Sequence, residues 1–388
     1  VVMLLNGTCG RVRATDILVG LFGVWMAICI LIIHGFGQSV EFAGSNVVEI
    51  YGSYLMGRVL VRSPETFVRA IKLLAALMAC TLPFALFDSL TGREIVAEFF
   101  QRLPGVSSYA AVNNPPRLGL HRAQVMVVHP IHYGLLMSML FTLVYVGLQG
   151  YVSDLRRLVL SGALVVCCFL SVSSGAVLAL MLQIGLIGYL WITRNIPYRW
   201  VLFGAGAVFV WMFIWAYTGH MPLKVILSKL TFSAQTAYWR LILFDYGVQN
   251  LNANPLFGLG LNDWFRPSWV ISGSLDNFWL LQGMRYGYPG MLLVLATFVG
   301  AVVAVARQPF AAGTRIARLR TAWVIMMVGT MFSLATVHVW AVAMLLLYFM
   351  LGAGHWMLDM PQAETAADEA QEAGPRRRGA PLRRPRAA

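Results

Sequence analysis

Long apolar runs separated by short polar turns dominate this chain of 388 residues. Most runs approach the roughly 17–25 residues that an α-helix needs to cross the hydrocarbon core of a bilayer. We therefore predict an all-α, polytopic membrane protein with about ten transmembrane helices. The predicted spans are residues 17–33, 47–61, 67–90, 125–148, 158–172, 175–193, 201–217, 289–306, 321–337 and 339–358.

One connection is far longer than the others and interrupts the apolar pattern. Residues 218–285 hold four of the 12 Trp residues together with Arg, Asp and Asn side chains. Ordinary connections are about 4–6 residues long, and much longer ones often carry function. Within a transmembrane domain of residues 1–358, we expect this segment to be a large periplasmic loop with short interfacial helices and the active site.

The end of the chain has a different composition. Residues 359–388 begin acidic and finish in a stretch rich in Pro and Arg, without any apolar run. Such a segment cannot bury enough apolar surface to offset the entropy lost on ordering. We predict a disordered cytoplasmic tail.

Composition and charge agree with a membrane protein. Hydrophobic residues make up 59% of the chain and charged residues 12%, whereas a typical soluble domain is about 25% charged. Short turns that hold Lys or Arg alternate with short turns that hold neither. The positive-inside rule then places both termini in the cytoplasm. The net charge of +13 is spread over the membrane body, and we expect no nucleic-acid partner.

The predicted outer side carries cations only in its two long loops. Residues 91–124 include Arg117 and Arg122, and residues 218–285 include Arg240 and Arg285. Long loops cross the membrane largely regardless of charge, so the topology is not contradicted. Two explanations remain open: an anionic ligand at the outer face, or solvated loops that meet anionic lipid headgroups.

Arg240 lies in a stretch that favours a helix at the membrane interface. Residues 237–250 combine aromatic and apolar positions, and the polar, Pro-containing residues 252–255 end the pattern. A guanidinium at headgroup depth suits a diphosphate because its planar fork makes paired, charge-assisted hydrogen bonds. The alternative is an arginine that snorkels to the interface without a ligand.

Asp276 and Asn277 stand directly before an apolar run. Both residue types favour a helix N-cap, which is the structural interpretation. In the functional interpretation Asp276 is a general base and Asn277 an orienting group. That role requires the pKa of the carboxylate to rise through partial burial, here beside Phe278 and Trp279.

A third motif combines Arg122 with two histidines. His129 and His132 could bind a metal ion, but no third ligand is nearby and Pro130 disturbs the spacing. We favour helix capping or pocket lining for the histidines and a phosphate clamp for Arg122. Residues 171–175 are predicted to be a short outer turn with a helix cap. No phosphate loop or zinc signature occurs, so we predict no cofactor and no metal.

Taken in order, these motifs resemble the O-antigen ligase and polysaccharide polymerase family of bacterial inner-membrane proteins. The resemblance covers about residues 45–352. It rests on Arg240, on NPLFGLG at residues 254–260, on Asp276-Asn277 and on YGYPG at residues 286–290. Upstream, Arg122 with HPIHYG at residues 129–134 and SSG at residues 173–175 follow the same order.

The resemblance implies a metal-independent glycosyl transfer at the periplasmic face. The donor would be a glycan on undecaprenyl diphosphate, and the acceptor a second glycan or the lipid A core. Membrane lipids, a flippase and chain-length regulator proteins would be further partners. The implied catalytic residues are Asp276 and Arg240, and the implied substrate-binding residues are Arg122, Arg117, Asn277, His129 and Arg285.

Two departures from the family pattern shape this expectation. Asp276 stands where ligases place a His before Asn, which favours an exopolysaccharide or O-antigen polymerase over a ligase. Ser174 stands where many members have an Arg after Ser, so Arg122 or Arg117 would replace that phosphate clamp.

Two other classes of protein remain as rivals. A transporter for an anionic solute or a lipid-linked glycan would show inverted repeats and broken helices at the midplane. We find no clear repeat between the halves of the chain. A non-catalytic assembly subunit would use the aromatic loop to dock a partner.

Overall fold

The architecture comes from a computed structural model that describes residues 7, 10–105, 116–219, 222, 225, 234–270 and 273–360. Most of these residues are helical. Within them, the only extended pairings are two isolated bridges, Arg117–Leu120 and Gln149–Val152. The all-α prediction is confirmed. The predicted tail lies outside the described residues except for Asp359 and Met360.

The helices of the described residues are numbered here in chain order. They are α1 (Ala14–His34), α2 (Gly44–Leu60), α3 (Pro64–Ala79), α4 (Leu82–Thr91), α5 (Ile95–Gln101), α6 (Pro130–Thr142), α7 (Asp154–Leu170), α8 (Ser174–Ile192), α9 (Arg199–Thr218), α10 (Ala234–Ala253), α11 (Phe278–Ala306), α12 (Arg315–Leu334), α13 (Ala341–Ala353) and α14 (Trp356–Asp359). Helical turns Phe36–Gln38 and Ser39–Ala43 join α1 to α2, and a π-helical turn, Leu143–Gly147, extends α6.

Seven helical segments of the described residues are long and apolar enough to cross a membrane, which confirms a multi-pass membrane protein. They are Ala14–His34, Pro64–Thr91, Pro130–Gly147, Ser174–Ile192, Arg199–Thr218, Phe278–Ala306 and Ala341–Asp359. The other three predicted spans coincide with α2, α7 and α12. The two shorter of these, α2 and α7, have 17 residues each, and α12 begins with three arginines, Arg315, Arg318 and Arg320.

Two predicted spans differ from the structure near prolines. The helix predicted from residue 125 begins at Pro130, because proline fits the first helical position and the preceding residues form a loop. The span predicted from residue 289 belongs to a longer helix that begins at Phe278. That helix breaks at Gly287, with φ 70° and ψ −179°, two residues before Pro289. Proline lacks the amide hydrogen that a continuous helix requires.

The segment formed by α6 and its π-helical turn is the centre of the bundle. In this segment 83% of the spanning residues are buried, the largest share among the seven candidate spans. Helices α7, α8 and α12 pack around it. By contrast, none of the α9 residues is buried, so this helix presents apolar side chains such as Phe209 and Trp215 outward, as lipid contact requires.

A buried ion cluster joins α1 and α14, the first and last helices of the described residues. Arg58 on α2 contacts Asp16 on α1 at 3.1 Å and Asp359 on α14 at 3.0 Å, and the side chains of Arg58 and Asp16 are 1% and 2% exposed. Tyr54 donates a hydrogen bond of 2.5 Å to Asp16, and Arg13 pairs with Asp359 at 2.7 Å. The start of α1 and the end of α14 therefore lie together, on the same side of the bundle.

We predict that Arg58→Ala strongly destabilises the protein, because it leaves the buried carboxylate of Asp16 without its guanidinium. Breaking a buried pair on one side costs about 3–5 kcal/mol. Thermal unfolding of the purified protein in detergent should show a large decrease in midpoint. Arg93→Ala, which removes the exposed pair with Glu98, is the control and should change the midpoint little. Equal midpoints for the two variants would contradict this account.

Candidate active site

Arg240 points into the protein from the interfacial helix that the sequence predicts. That helix, α10, spans Ala234–Ala253, and the predicted helix 237–250 lies within it. Arg240 is 9% exposed, and its Nε lies 3.5 Å from Oδ2 of Asp276. The neighbouring Tyr238 is 63% exposed. The guanidinium is therefore turned away from the headgroup region and toward a carboxylate.

Asp276 and Asn277 have separate tasks at the start of α11. The Asn277 side chain accepts a hydrogen bond of 2.9 Å from the Leu280 amide, so it is the N-cap. Asp276 precedes the cap with its side chain 33% exposed, and Ser274 donates to its Oδ1 at 3.3 Å. The N-cap interpretation of the motif therefore holds for Asn277, and the role of Asp276 as a general base stays a prediction. The rings of Phe278 and Trp279 pack against Phe298 in the core.

A small pocket connects this pair of residues to the turn after α12. Its lining includes Arg240, Asp276, Asn277, Ala335 and Thr336. The amide of Phe278 donates to the carbonyl of Val337 at 3.2 Å, which fixes that turn against the start of α11. The turn therefore contributes to the same pocket, although sequence reasoning assigned no functional role to its residues.

Arg117 and Arg122 approach the pocket from the loop before α6. Arg117 and Leu120 exchange two backbone hydrogen bonds of 2.9 and 3.0 Å. Leu118 and Gly119 between them have φ values of 54° and 76°, which defines a type I′ turn. Arg122 Nε donates to the Ser171 carbonyl at 3.4 Å. The Nη2 atom of Arg122 is buried and has no hydrogen-bond partner.

The arginines of this loop act electrostatically on one another and on Arg240. Burial, followed by the charges of Arg117 and Arg240, lowers the pKa of Arg122 to about 10, and Asp276 opposes that change. Burial and the charge of Arg240 also lower the pKa of Arg117, again against Asp276. Three guanidinium groups therefore share the field of one carboxylate, and the site has a surplus of positive charge.

His129 joins this group at the N-cap of α6. Its Nδ1 accepts a hydrogen bond of 3.1 Å from the Ile131 amide. Burial, and then the charges of Arg122, His132 and Arg117, lower its pKa to about 4. Among the described residues, no group of three or more His, Cys, Asp or Glu side chains could hold a metal ion.

Two further residues beside His129 were not singled out from the sequence. His338 and Trp340 follow α12, and their rings lie 5.5 Å apart. The Trp340 ring is 6.0 Å from that of His129 and 4.0 Å from that of His132. The available signal was a short turn with polar and aromatic residues, TVHVW at residues 336–340, between two apolar runs.

Arg285 lies apart from the pocket of Arg240 and Asp276. Its guanidinium is 5.9 Å from the ring centre of Phe42, in the connection between α1 and α2. Its charge nevertheless acts on His338. Burial lowers the pKa of His338 most, and the charges of Arg285 and His132 lower it further, to about 3. Arg285 is not among the residues that line the pocket. The structure therefore places the six other predicted residues in one neighbourhood: Asp276, Asn277, Arg240, Arg117, Arg122 and His129.

The NPLFGLG motif forms a clamp on the break in α11. The amides of Leu259 and Gly260 donate to the carbonyls of Met284 and Arg285 at 2.7 and 3.0 Å, and Tyr288 donates to the Pro255 carbonyl at 2.8 Å. These bonds use backbone groups that the kink at Gly287 frees from the helix. The motif is thus a structural support for the start of α11, which carries Asp276 and Asn277.

Backbone strain is concentrated around the same site. Of the described residues other than glycine, four have positive φ: Leu118, Val125, Val172 and Ala341. Leu118 and Val125 flank Arg122, Val172 follows the carbonyl that Arg122 contacts, and Ala341 follows Trp340. Such strain tends to occur at functional sites. Ser173 in the same outer turn is the N-cap residue of α8, which agrees with the predicted turn and helix cap, although its side chain makes no capping hydrogen bond.

Comparison with known protein families identifies the central part of the chain. Residues 158–295 match the family model described as O-antigen ligase. This region is similar to the O-antigen ligase family. It runs from α7 to α11 and includes Arg240, Asp276 and Asn277. A comparison with curated proteins found no match.

Similarity to the O-antigen ligase model supports a glycan-processing function of the ligase and polymerase type. Members of the family are enzymes of the glycosyltransferase kind. Five residues near the candidate site lie outside the matched segment and are brought there by tertiary packing: Arg117, Arg122, His129, His338 and Trp340. The predicted family and the membrane character are therefore both confirmed.

We predict that Gly258→Ala disrupts the clamp. Gly258 has φ +72°, and a Cβ there would lie 2.5 Å from the carbonyl carbon of Arg285. Left-handed strain alone costs about 1–2 kcal/mol, and the clash must in addition displace the loop from α11. The unfolding midpoint in detergent should fall by more than in Gly219→Ala. That control has φ +65° and open space around its Cβ. Equal shifts would show that the clamp does not support the fold.

Proposed function

We propose that the protein is a glycosyltransferase that polymerises glycans carried on undecaprenyl diphosphate at the periplasmic face of the inner membrane. An exopolysaccharide or O-antigen polymerase is favoured, and an O-antigen ligase is the next choice. One observation carries the proposal: Arg240 faces the partly exposed carboxylate of Asp276 at 3.5 Å, and Arg117 and Arg122 lie within the electrostatic influence of both groups.

The surplus of guanidinium groups favours a ligand with more than one negative charge. Arg122 Nη2 and Arg240 Nε are buried without hydrogen-bond partners, although Arg240 Nε still faces Asp276 at 3.5 Å. Leaving such a donor unpaired costs about 1–3 kcal/mol, and more when the group is charged. A diphosphate supplies enough acceptor oxygens to satisfy both groups and to neutralise the mutual repulsion of the arginines.

The same geometry accounts for the proposed reaction. When the donor binds, its diphosphate draws Arg240 away from Asp276 and leaves the carboxylate free to accept a proton. The acceptor hydroxyl then attacks the anomeric carbon, its proton passes to Asp276, and the bond between the sugar and the diphosphate breaks. The arginines stabilise the negative charge that develops on the leaving lipid diphosphate. In this scheme guanidinium groups supply the charge that a divalent cation supplies elsewhere.

The identity of the base supports polymerisation over ligation. By the resemblance described above, ligases carry His where this chain has Asp276. A carboxylate still accepts a proton, and the neighbouring Asn277 is retained as the N-cap. In polymerisation, the donor and the acceptor are both lipid-linked glycans. In ligation, which is the less favoured alternative, the acceptor is the lipid A core.

The position of the site relative to the termini supports a periplasmic location. Residue 13 contacts Asp359 at one end of α1, and His34 at the other end accepts a hydrogen bond from Leu261 in the long loop. Helix α1 has 21 residues and is about 30 Å long, close to the thickness of a bilayer core. Cytoplasmic termini therefore imply a site on the opposite, periplasmic side.

We predict that Arg240→Ala and Asp276→Ala each lower glycan transfer by about 100- to 1,000-fold, the usual effect of removing a group that stabilises developing charge. Arg240→Lys should recover only part of the rate, because an ammonium cannot form the paired bonds of a guanidinium. The measurement is lengthening of a lipid-linked oligosaccharide by the purified protein in proteoliposomes.

Arg266→Ala is the matched control for these variants. Arg266 lies in the same long loop but pairs with the exposed Asp263, so its loss should leave transfer unchanged. Wild-type transfer that persists in both Arg240→Ala and Asp276→Ala would refute the proposed site. Movement of the intact glycan across the vesicle, without lengthening, would instead identify a transporter.

A further inference from the structure

The turn between α12 and α13 presents an aromatic surface beside the active site. Trp340 is 39% exposed, and its ring lies within 6.0 Å of the rings of three histidines, His129, His132 and His338. His338 also stacks on Phe278 at 6.4 Å, with an angle of 18° between the rings. Phe278 is buried and adjoins Asn277, so it connects the turn that carries Trp340 to the start of α11, where Asn277 lines the pocket of Asp276.

The position of the surface is fixed by bonds to two other helices. His132 on α6 donates from Nε2 to the carbonyl of His338 at 3.1 Å, and Phe278 on α11 donates to the carbonyl of Val337 at 3.2 Å. Ala341, which follows Trp340, is held at φ 50°. A strained turn held at both sides keeps Trp340 in place, as expected of a preorganised binding surface.

Polar groups with hydrogen-bonding capacity flank the exposed ring. His338 Nδ1 is buried and has no hydrogen-bond partner. His129 already accepts a bond at Nδ1, so in its neutral form the proton is on Nε2, which remains a donor. Burial and nearby arginines hold the pKa of both His129 and His338 far below neutrality. Both imidazoles are therefore uncharged at neutral pH.

The site thus has two parts of different chemistry. Around Arg117, Arg122 and Arg240 it is cationic and suits the phosphate oxygens of a donor. Around Trp340 it is aromatic and uncharged, with imidazole nitrogens at its edge. A sugar ring matches the second part, because its C–H face packs on an indole while its hydroxyls reach hydrogen-bonding groups at the rim.

We infer that Trp340, together with His129 and His338, forms a binding site for a sugar ring of the acceptor glycan. This inference rests on the proposed glycosyl transfer. The acceptor is favoured over the donor because Asp276, the proposed base, lines the pocket with Ala335 and Thr336 from the segment that leads to Trp340. A sugar on the indole would therefore present its hydroxyl toward the base.

The test measures acceptor binding separately from chemistry. The probe is the oligosaccharide repeat released from its lipid carrier by mild acid, added to the full-length protein in nanodiscs. Saturation-transfer NMR should show contact between the sugar C–H protons and the wild-type protein. Trp340→Ala should weaken this binding about three- to tenfold, as expected for loss of one aromatic contact, and Trp340→Phe should keep most of it.

Trp215→Ala is the matched control, because Trp215 is 61% exposed on α9, away from the site. Its loss should leave sugar binding unchanged. If Trp340 only anchors the protein at the membrane interface, Trp340→Ala will bind the oligosaccharide as the wild type does, and the inference is wrong. If Trp340→Ala fails to fold, His338→Gln is the second variant to measure, and it should also weaken binding of the oligosaccharide.

Kinetics then separate this inference from the proposed function. In the transfer assay, Trp340→Ala should raise the KM for the acceptor and leave the KM for the lipid-linked donor unchanged. A rise in the donor KM alone would overturn the assignment to the acceptor. Absence of transfer by the wild-type protein would refute the proposed function itself, whatever the oligosaccharide binding shows.

Discussion

Uncompensated positive charge at the edge of a low-dielectric bundle is the constraint on which this site depends. Arg240 faces Asp276 at 3.5 Å, while Arg117 and Arg122 add two more cations to the same field. Mutual repulsion and burial both disfavour this arrangement in the empty protein. Binding of a polyanion would relieve both effects, and a lipid-linked diphosphate is the polyanion that we propose for this site.

The rest of the fold keeps these groups in place. The most buried segment, α6, begins directly after the loop that carries Arg122. The break in α11 is repaired by hydrogen bonds from the loop around Gly258, and this fixes the helix whose start holds Asp276. Helix α1 reaches the long loop at His34. At its other end, the buried cluster of Arg58, Asp16 and Asp359 joins α1, α2 and α14. The buried ion cluster and the charged residues of the candidate site therefore lie at opposite ends of a helix long enough to span a membrane.

Periodicity and composition were sufficient to predict the helices, because an apolar run of sufficient length has few alternatives in a membrane. They also located the helix of Arg240 and the helix start at Asn277. The span predicted from residue 289 was too short, because residues of the long loop from Phe278 onward belong to the same helix. The count of ten spans stays a prediction, since seven segments satisfy the length and apolarity that crossing requires.

Site composition was harder to predict, for a physical reason. Arg117 and Arg122 could be named as cations in an outer loop, but their proximity to Arg240 depends on packing between distant segments. His338 and Trp340 join the site only through tertiary contacts with α6 and α11. The NPLFGLG motif at residues 254–260 was recognised from the sequence, whereas its structural partner, the break at Gly287, is a feature of the folded helix alone.

Equilibrium binding of short prenyl phosphates tests the central claim most directly. Farnesyl diphosphate and farnesyl monophosphate would be titrated calorimetrically into the purified protein, the Arg122→Ala variant and the Arg240→Ala variant. The account predicts that the wild-type protein prefers the diphosphate and that this preference falls in both variants while the weaker monophosphate binding changes less. A wild-type protein that binds both ligands equally, or a preference that survives in both variants, would contradict it.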